Sequence, residues 1–270
     1  MAPDAIDGLI AAAEAAADVA GAVIRPFFRA PLSADLKSDQ SPVTIADRTA
    51  EQVMRAVLAE RFPTHGVLGE EFGRDRPEAR LCWVLDPIDG TRAFITGRPI
   101  FGTLVALLHD EVPVLGIIDQ PVTGERWIGV AGRPTVFRDP FGGVPGCRAC
   151  PSLAEAELSC TSPEMLGPHR PAWERLAAGV RRVSWGGDCY AYGLLALGQI
   201  DVIAEADLKI WDWAAVQPVV AGAGGSLTDW SGCPLTMESD GRVVAVGNPA
   251  LLPGITALLE EHHPDWNQSG

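Results

Sequence analysis

The sequence predicts an α+β first half joined to an α/β second half. Two apolar helical stretches precede a set of strand-sized apolar runs, two of which form a hairpin, and beyond residue 151 strands and helices alternate. In 4–29, Ile6, Leu9, Ile10, Ala13, Ala17, Ala20, Ile24 and Phe27 fall near a 3.6 period in Ala-rich sequence, and Pro26 should kink or end that helix. Thr44 to Asp47 reads as a second helix start with a Thr cap, carried by Val53, Met54, Val57 and Leu58 to Pro63. Gly66-Val67-Leu68 is a short strand. Leu81 to Leu85 is another, ending at Asp86 where Pro87 forces a turn. Gly102 to Leu108 and Val112 to Ile118 make the hairpin, and Glu125 to Val130 follows.

Residues 132–151 are rich in Gly, Pro and Arg without a period. They mark the expected division into an N-terminal α+β domain, 1–140, and a C-terminal α/β domain, 141–270. The second half reads as strand 157–161, helix 170–179, strand 181–185, helix 188–198, strand 201–205, helix 212–223, strands 226–229 and 242–246, and helix 249–261. Gly222 to Gly225 follows a helix and reads as a C-cap and turn.

Composition narrows the function. With 270 residues and 47% hydrophobic content the chain can bury a large core. Its net charge of −14, from 35 acids against 21 bases, repels nucleic acid. No apolar stretch reaches the roughly 20 residues of a membrane span, and the acidic start does not read as a signal peptide. The six scattered cysteines read as reduced thiols of a cytoplasmic protein. Cys147 and Cys150 form a CxxC with no second pair at zinc-site spacing, so they read as part of a Gly/Pro-rich loop.

The chemistry concentrates in Trp83-Val84-Leu85-Asp86-Pro87-Ile88-Asp89-Gly90-Thr91. Apolar residues drive a strand inward and deliver Asp86 at its end, and Asp89 returns within a few residues. Gly90 permits a tight backbone, and a helix opening at Thr91 offers free N–H groups to a phosphate. Two carboxylates about 4 Å apart repel by roughly 1 kcal/mol in water and about 4 kcal/mol at an effective dielectric of 20. They need a proton or a hard, oxygen-loving cation such as Mg²⁺. The alternative is an ordinary Asp-Pro turn with solvated acids. Glu70, after its own short strand, can reach the same sheet edge. Asp212, between Trp211 and Trp213, opens a helix; it reads as merely its N-cap or as a further ligand too, the two roles being compatible with one oxygen for each. Four acids beside a helix start describe a two-metal phosphoryl site. A metal-binding module without catalysis, or an acidic structural dimer, are rival readings with no motif of their own.

These segments resemble the inositol-monophosphatase family of Mg²⁺-dependent phosphatases. Pro42-Val43-Thr44 to Asp47, Gly69-Glu70-Glu71, Asp86 to Thr91, Trp211-Asp212 and Gly224-Gly225 stand in that family's order and spacing, over nearly the whole chain. The resemblance implies a layered α-β-α-β-α sandwich, usually a homodimer, with two or three Mg²⁺ per active site. It implies metal ligation by Glu70, Asp86, the Ile88 carbonyl, Asp89 and Asp212, and a water placed by Thr91, Asp47 and Glu70. The run Arg92 to Leu104, Gly187-Asp188-Cys189-Tyr190-Ala191-Tyr192-Gly193 and Glu205 to Lys209 are similar to the histidinol-phosphate phosphatase branch. Asp89, Gly90, Thr91, Gly187, Asp188, Cys189, Glu205 and Asp212 are then the expected substrate contacts, for a small phosphate ester. Histidinol phosphate carries an ammonium and an imidazole, which suit Asp188 and Glu205. Asp188 also reads as a helix cap, and inositol enzymes place an acid at the Glu205 position too. Ile210, Trp211 and Trp213 depart from the branch and make bulkier walls.

Overall fold

The computed structural model describes residues 3–30 and 42–260. Helix α1 spans Pro3–Ile24 and passes into a single 3₁₀ turn, Arg25–Phe27, where Pro26 cannot continue the ladder. Helix α2 spans Pro42–Arg61. It begins two residues before Thr44, so Thr44 lies inside the first turn and is not the cap; Pro42 takes the first helical position, where its missing N–H costs nothing.

A seven-stranded sheet follows. Its strands are β1 (Gly66–Gly69), β2 (Gly73–Asp75), β3 (Leu81–Asp89), β4 (Gly102–His109), β5 (Val112–Gln120), β6 (Glu125–Val130) and β7 (Val136–Arg138), in the order β2-β1-β3-β4-β5-β6-β7. Only the β1–β3 pair is parallel. A short helix, α3 (Thr91–Ile95), leaves the end of β3. Strand β3 does not stop at Asp86. It runs through Pro87 to Asp89, and a bulge between Asp86 and Asp89 absorbs the proline where a turn was expected.

The second sheet has strands β8 (Glu157–Cys160), β9 (Arg182–Trp185), β10 (Val202–Glu205), β11 (Ser226–Asp229) and β12 (Val243–Val246), ordered β11-β12-β10-β8-β9. Its helices are α4 (Arg170–Ala178), α5 (Asp188–Ala196), α6 (Ile210–Trp213), α7 (Val216–Gly222) and α8 (Leu252–Leu259). The single helix expected over 212–223 is two, α6 and α7. Pro218 sits in the first turn of α7, and its ring would collide with the carbonyl four residues back, so the helix breaks at Ala214-Ala215. The last helix likewise begins with a 3₁₀ turn, Pro249–Leu251, and residue 261 lies outside the described residues.

Three apolar cores separate five layers. Helices α1 and α2 cover one face of the first sheet through Ala13, Ala17, Met54, Trp83, Leu85, Val105 and Leu107. The opposite face of the same strands, Val84, Leu104 and Ala106, packs with α5, α7 and the inner face of the second sheet, Ile203, Val243 and Ala245. The outer face, Val202, Ala204, Val244 and Val246, is closed by α4 and α8. Burial on both faces explains the continuous apolar runs in β3 and β4. The expected layered α-β-α-β-α sandwich is therefore present. Cys147 packs against the middle core and Cys150 within the outer one, so the CxxC straddles the second sheet. Among the described residues no helix is long and apolar enough to cross a membrane.

Candidate active site

The parallel register that sets Gly69 opposite Leu85 places the next residues, Glu70 and Asp86, side by side at one sheet edge. The Glu70 amide donates to the Leu85 carbonyl at 3.3 Å. Asp86 is buried, and its Oδ1 accepts from the Ile88 amide at 3.1 Å, which closes the bulge on itself. The bulge turns Asp89 toward the middle layer, where its Oδ2 accepts from the Cys189 amide at the start of α5, 2.5 Å away. Asp212 arrives on α6. It is the third residue of that helix, not its N-cap; Lys209 is the cap, and Asp212 Oδ2 accepts the Lys209 amide at 2.6 Å. One oxygen of Asp212 is thus spent on the helix and the other is left for the site. Carboxylate oxygens of Asp86, Asp89 and Asp212 all lie within 4.8 Å of one another.

Asp47, on the buried face of α2, sits behind this group, and its Oδ1 has no hydrogen-bond partner. The expected link from Thr91 to Asp47 is not formed: Thr91 Oγ1 donates to the Ile88 carbonyl at 3.3 Å, an atom expected to face a metal. Gly90 caps α3 in the left-handed region at φ 89°, and a Cβ there would come within 2.9 Å of the Asp188 carboxyl, so only glycine fits between them. Asp188 is the first residue of α5, and Gly187, not Asp188, is the cap. Glu205 lies on the floor, 3% exposed. Its Oε1 accepts the Thr161 amide at 2.7 Å and its Oε2 the Tyr192 hydroxyl at 2.8 Å.

The site is a concentration of acid held out of water. Burial, then Asp89, Glu70 and Asp212, raises Asp86 well above the ordinary carboxyl range. Burial, then Asp188 and Asp212, does the same to Asp89. Burial, then Glu70, Glu71 and Glu51, pushes Asp47 up to about 8. Asp212 rises to about 7, chiefly through burial, although the Lys209 amide pulls the other way. Glu70 is exposed as a residue, but its carboxyl end meets Asp86, and burial and Glu71 raise it. Such a group is stable only when protonated or when a cation lies among the oxygens. The donors are all carboxylate or carbonyl oxygens, and a buried Asp47 oxygen is unsatisfied, so a hard divalent ion fits the set.

Beside the acids a cavity of about 120 Å³ is lined by Asp89, Cys189, Glu205 and Asp212. It adjoins a groove of about 370 Å³ lined by Gly90, Thr91, Arg92 and Glu164; Thr161, Met165, Asp188 and Asp207 border both. Burial and Glu205 raise Asp188 to about 6, against the pull of Arg98 and Arg92. Thr161, Tyr192, Glu164 and Asp207 are not among the expected contacts. Thr161 has a signal, since it ends a predicted strand as Asp86 does; Tyr192 and Asp207 fall within runs similar to the histidinol-phosphate phosphatase branch without an assigned role, and Glu164 has no signal.

Comparison with known proteins agrees with this geometry. The sequence profile of the inositol monophosphatase family matches residues 6–264. The chain is 45% identical over 259 residues to the Arabidopsis thaliana protein named bifunctional phosphatase IMPL2, chloroplastic, covering 95% of this chain and 74% of that one. It is 39% identical over 226 residues to the histidinol-phosphatase of Mycobacterium tuberculosis, covering 81% and 86%. An inositol monophosphatase structure from Zymomonas mobilis superposes with a TM-score of 0.87 at 50% identity, over 93% of this chain and 97% of that one. The chain belongs to the inositol monophosphatase family and is a phosphatase of that family.

Proposed function

We propose that this chain is a Mg²⁺-dependent phosphomonoesterase that hydrolyses L-histidinol phosphate to L-histidinol and phosphate, a step of histidine biosynthesis. The observation that carries the substrate is the groove beside the acidic group. Asp188 lines it with Glu205 below, while the Glu164 and Asp207 carboxylates at its border pair with Arg92 and Lys209, and we put the alcohol half of the ester against Asp188 and Glu205. A neutral polyol gains little there, whereas an ammonium and an imidazole gain charge-assisted hydrogen bonds. Relatives named histidinol-phosphatase, from Mycobacterium tuberculosis and Chlorobaculum parvum, support the reading at 39% and 35% identity.

Glu70, Asp86, Asp89, Asp212 and the Ile88 carbonyl would hold two or three Mg²⁺. Bound there, Mg²⁺ supplies Lewis-acid neutralisation of the phosphate and of the developing alkoxide. The amides of Gly90 and Thr91, at the start of α3, orient the phosphate. Thr91 Oγ1 and Glu70 position the attacking water and Glu70 holds its proton, with Asp47 behind them polarising Thr91 once its hydroxyl turns from Ile88. The water oxygen bonds to phosphorus, the ester P–O bond breaks, and histidinol leaves with its hydroxyl restored. Asp188 and Glu205 face the alcohol, with the Gly187 and Cys189 backbone alongside. We assign the protein to the cytoplasm as a homodimer, and read the 1–140 and 141–270 halves as two domains that complete one site.

Hydrolysis of inositol 1-phosphate is the second reading, favoured by the 50% identity to the inositol monophosphatase of Zymomonas mobilis. Steady-state kcat/KM on both esters, with and without Mg²⁺, tests the choice. A preference for histidinol phosphate is expected, and a clear preference for the inositol ester would overturn it.

A further inference from the structure

Helix α2 presents three charged residues one above another, Asp47, Glu51 and Arg55, at successive i, i+4 positions. Asp47 stands at the acidic site. The other two lie outside it and face the β1–β2 hairpin that carries Glu70. Glu51 has no exposed surface, yet its carboxylate is fully engaged. Oε1 accepts from Arg55 Nε at 2.7 Å, and Oε2 accepts the backbone N–H of Glu71 at 2.8 Å. Arg55 extends the contact to the far side of the hairpin, donating to Asp75 Oδ2 at 2.9 Å and to the Gly73 carbonyl at 2.6 Å.

The approach is close. A Cβ on residue 69 would lie 2.0 Å from Glu51 Oε1, so the glycine of Gly69-Glu70-Glu71 is required by the carboxylate beneath it. Glu70 is thereby held on both sides in the chain: Gly69 against Glu51, and the Glu71 amide on the same carboxylate. A solvated ion pair at i, i+4 would serve helix stability alone and would sit at the surface. A buried carboxylate is costly, and an apolar residue would fill the same space more cheaply.

We infer that Glu51 and Arg55 are positioning residues that fix the Glu70 turn, and through it the Glu70 carboxyl, against Asp86. The inference rests on the assignment of Glu70 as a metal ligand proposed above. Glu51→Gln tests it. A glutamine offers one acceptor oxygen where two were used, so residue 51 loses its bond from either Arg55 Nε or the Glu71 amide. On chelator-stripped protein, Mg²⁺ titration calorimetry should show a dissociation constant raised about tenfold or more. KM for the phosphate ester at saturating Mg²⁺ should stay within about twofold, because uniform substrate binding is untouched.

Arg55→Gln leaves the Glu51–Glu71 bond and should weaken Mg²⁺ by a smaller factor, about threefold, in line with loss of a supporting contact. A folded Glu51→Gln variant that binds Mg²⁺ like the wild type would overturn the inference, however far its melting temperature falls. Should that variant not fold, Arg55→Gln decides: weakened Mg²⁺ binding supports the brace, and unchanged binding overturns it. Glu70→Gln separates the two layers of argument. Wild-type Mg²⁺ affinity in Glu70→Gln would remove Glu70 from the metal site, and the brace with it. A weakened Glu70→Gln beside an unaffected Glu51→Gln would overturn the brace alone.

Discussion

Asp212→Asn should make the metal-free protein more stable and the Mg²⁺-loaded protein relatively less so. In the fold Asp212 keeps a proton up to about 7, against an ordinary value of 3.8. A raised carboxyl stabilises the fold fully below the ordinary value, and that contribution is lost as pH climbs through 7. At pH 8 the gap amounts to about 4 kcal/mol of destabilisation; partial solvent access halves this to about 2 kcal/mol. Asparagine carries no charge yet still accepts the Lys209 amide bond, so the helix start costs only a few tenths of a kcal/mol. The net gain of about 2 kcal/mol corresponds to roughly 4–8 °C in Tm. Thermal unfolding in a chelator measures it: the variant should melt higher at pH 8, with the gap narrowing progressively below pH 7 and closing only as pH falls to the ordinary value of 3.8. Comparing the pair cancels the general repulsion of a −14 chain, which also grows with pH. With Mg²⁺ at about 100 times its dissociation constant the wild type gains about 2.7 kcal/mol, and the variant should gain far less. A variant that melts no higher than the wild type at pH 8 in chelator would refute the electrostatic account of the site.

Asp89→Asn retains the acceptor for the Cys189 amide and should fold, but turnover should drop at least about a thousandfold, read as Mg²⁺-dependent phosphate release; near-native turnover would take Asp89 out of the metal set. Asp188→Asn should raise KM for histidinol phosphate about tenfold, and for a neutral ester by much less, since only the cationic substrate loses a charge-assisted bond; equal effects would end its role in selectivity. Tyr192→Phe strips Glu205 Oε2 of its buried donor and should cost about 1–3 kcal/mol in denaturant unfolding. An unchanged midpoint would mean that Glu205 finds another donor.

Much of the site could be read in advance because acids at the ends of apolar runs mark one sheet edge. Glu70, Asp86 and Asp89 needed no more than that, and Asp212 stood out through its two tryptophans. What escaped was decided by tertiary pairing. Pro87 reads locally as a turn, but pairing of Asp86 with Leu104 and Asp89 with Gly102 holds β3 on course and turns the irregularity into a bulge. Strands β2 and β7, three residues each with mostly exposed positions, carry no period to detect. Glu51 and Arg55 look in sequence like any solvated helical pair, and only the fold shows the glutamate buried under the Glu70 turn. Glu164 enters the groove from the 3₁₀ segment Pro163–His169 and Asp207 from the bend after β10, neither of which carries a period to read.

The short bond from the Cys189 amide to Asp89 joins the first sheet to the helix layer beneath the second. The two halves of the polypeptide therefore share a joint at the point where chemistry is expected. Sliding one half by an ångström would break that joint and pull Asp212 away from its partners at the same moment. Turnover in this enzyme should thus act as a gauge of how well the halves are seated, and changes in the far interior of the middle layer should register in rate before they register in melting.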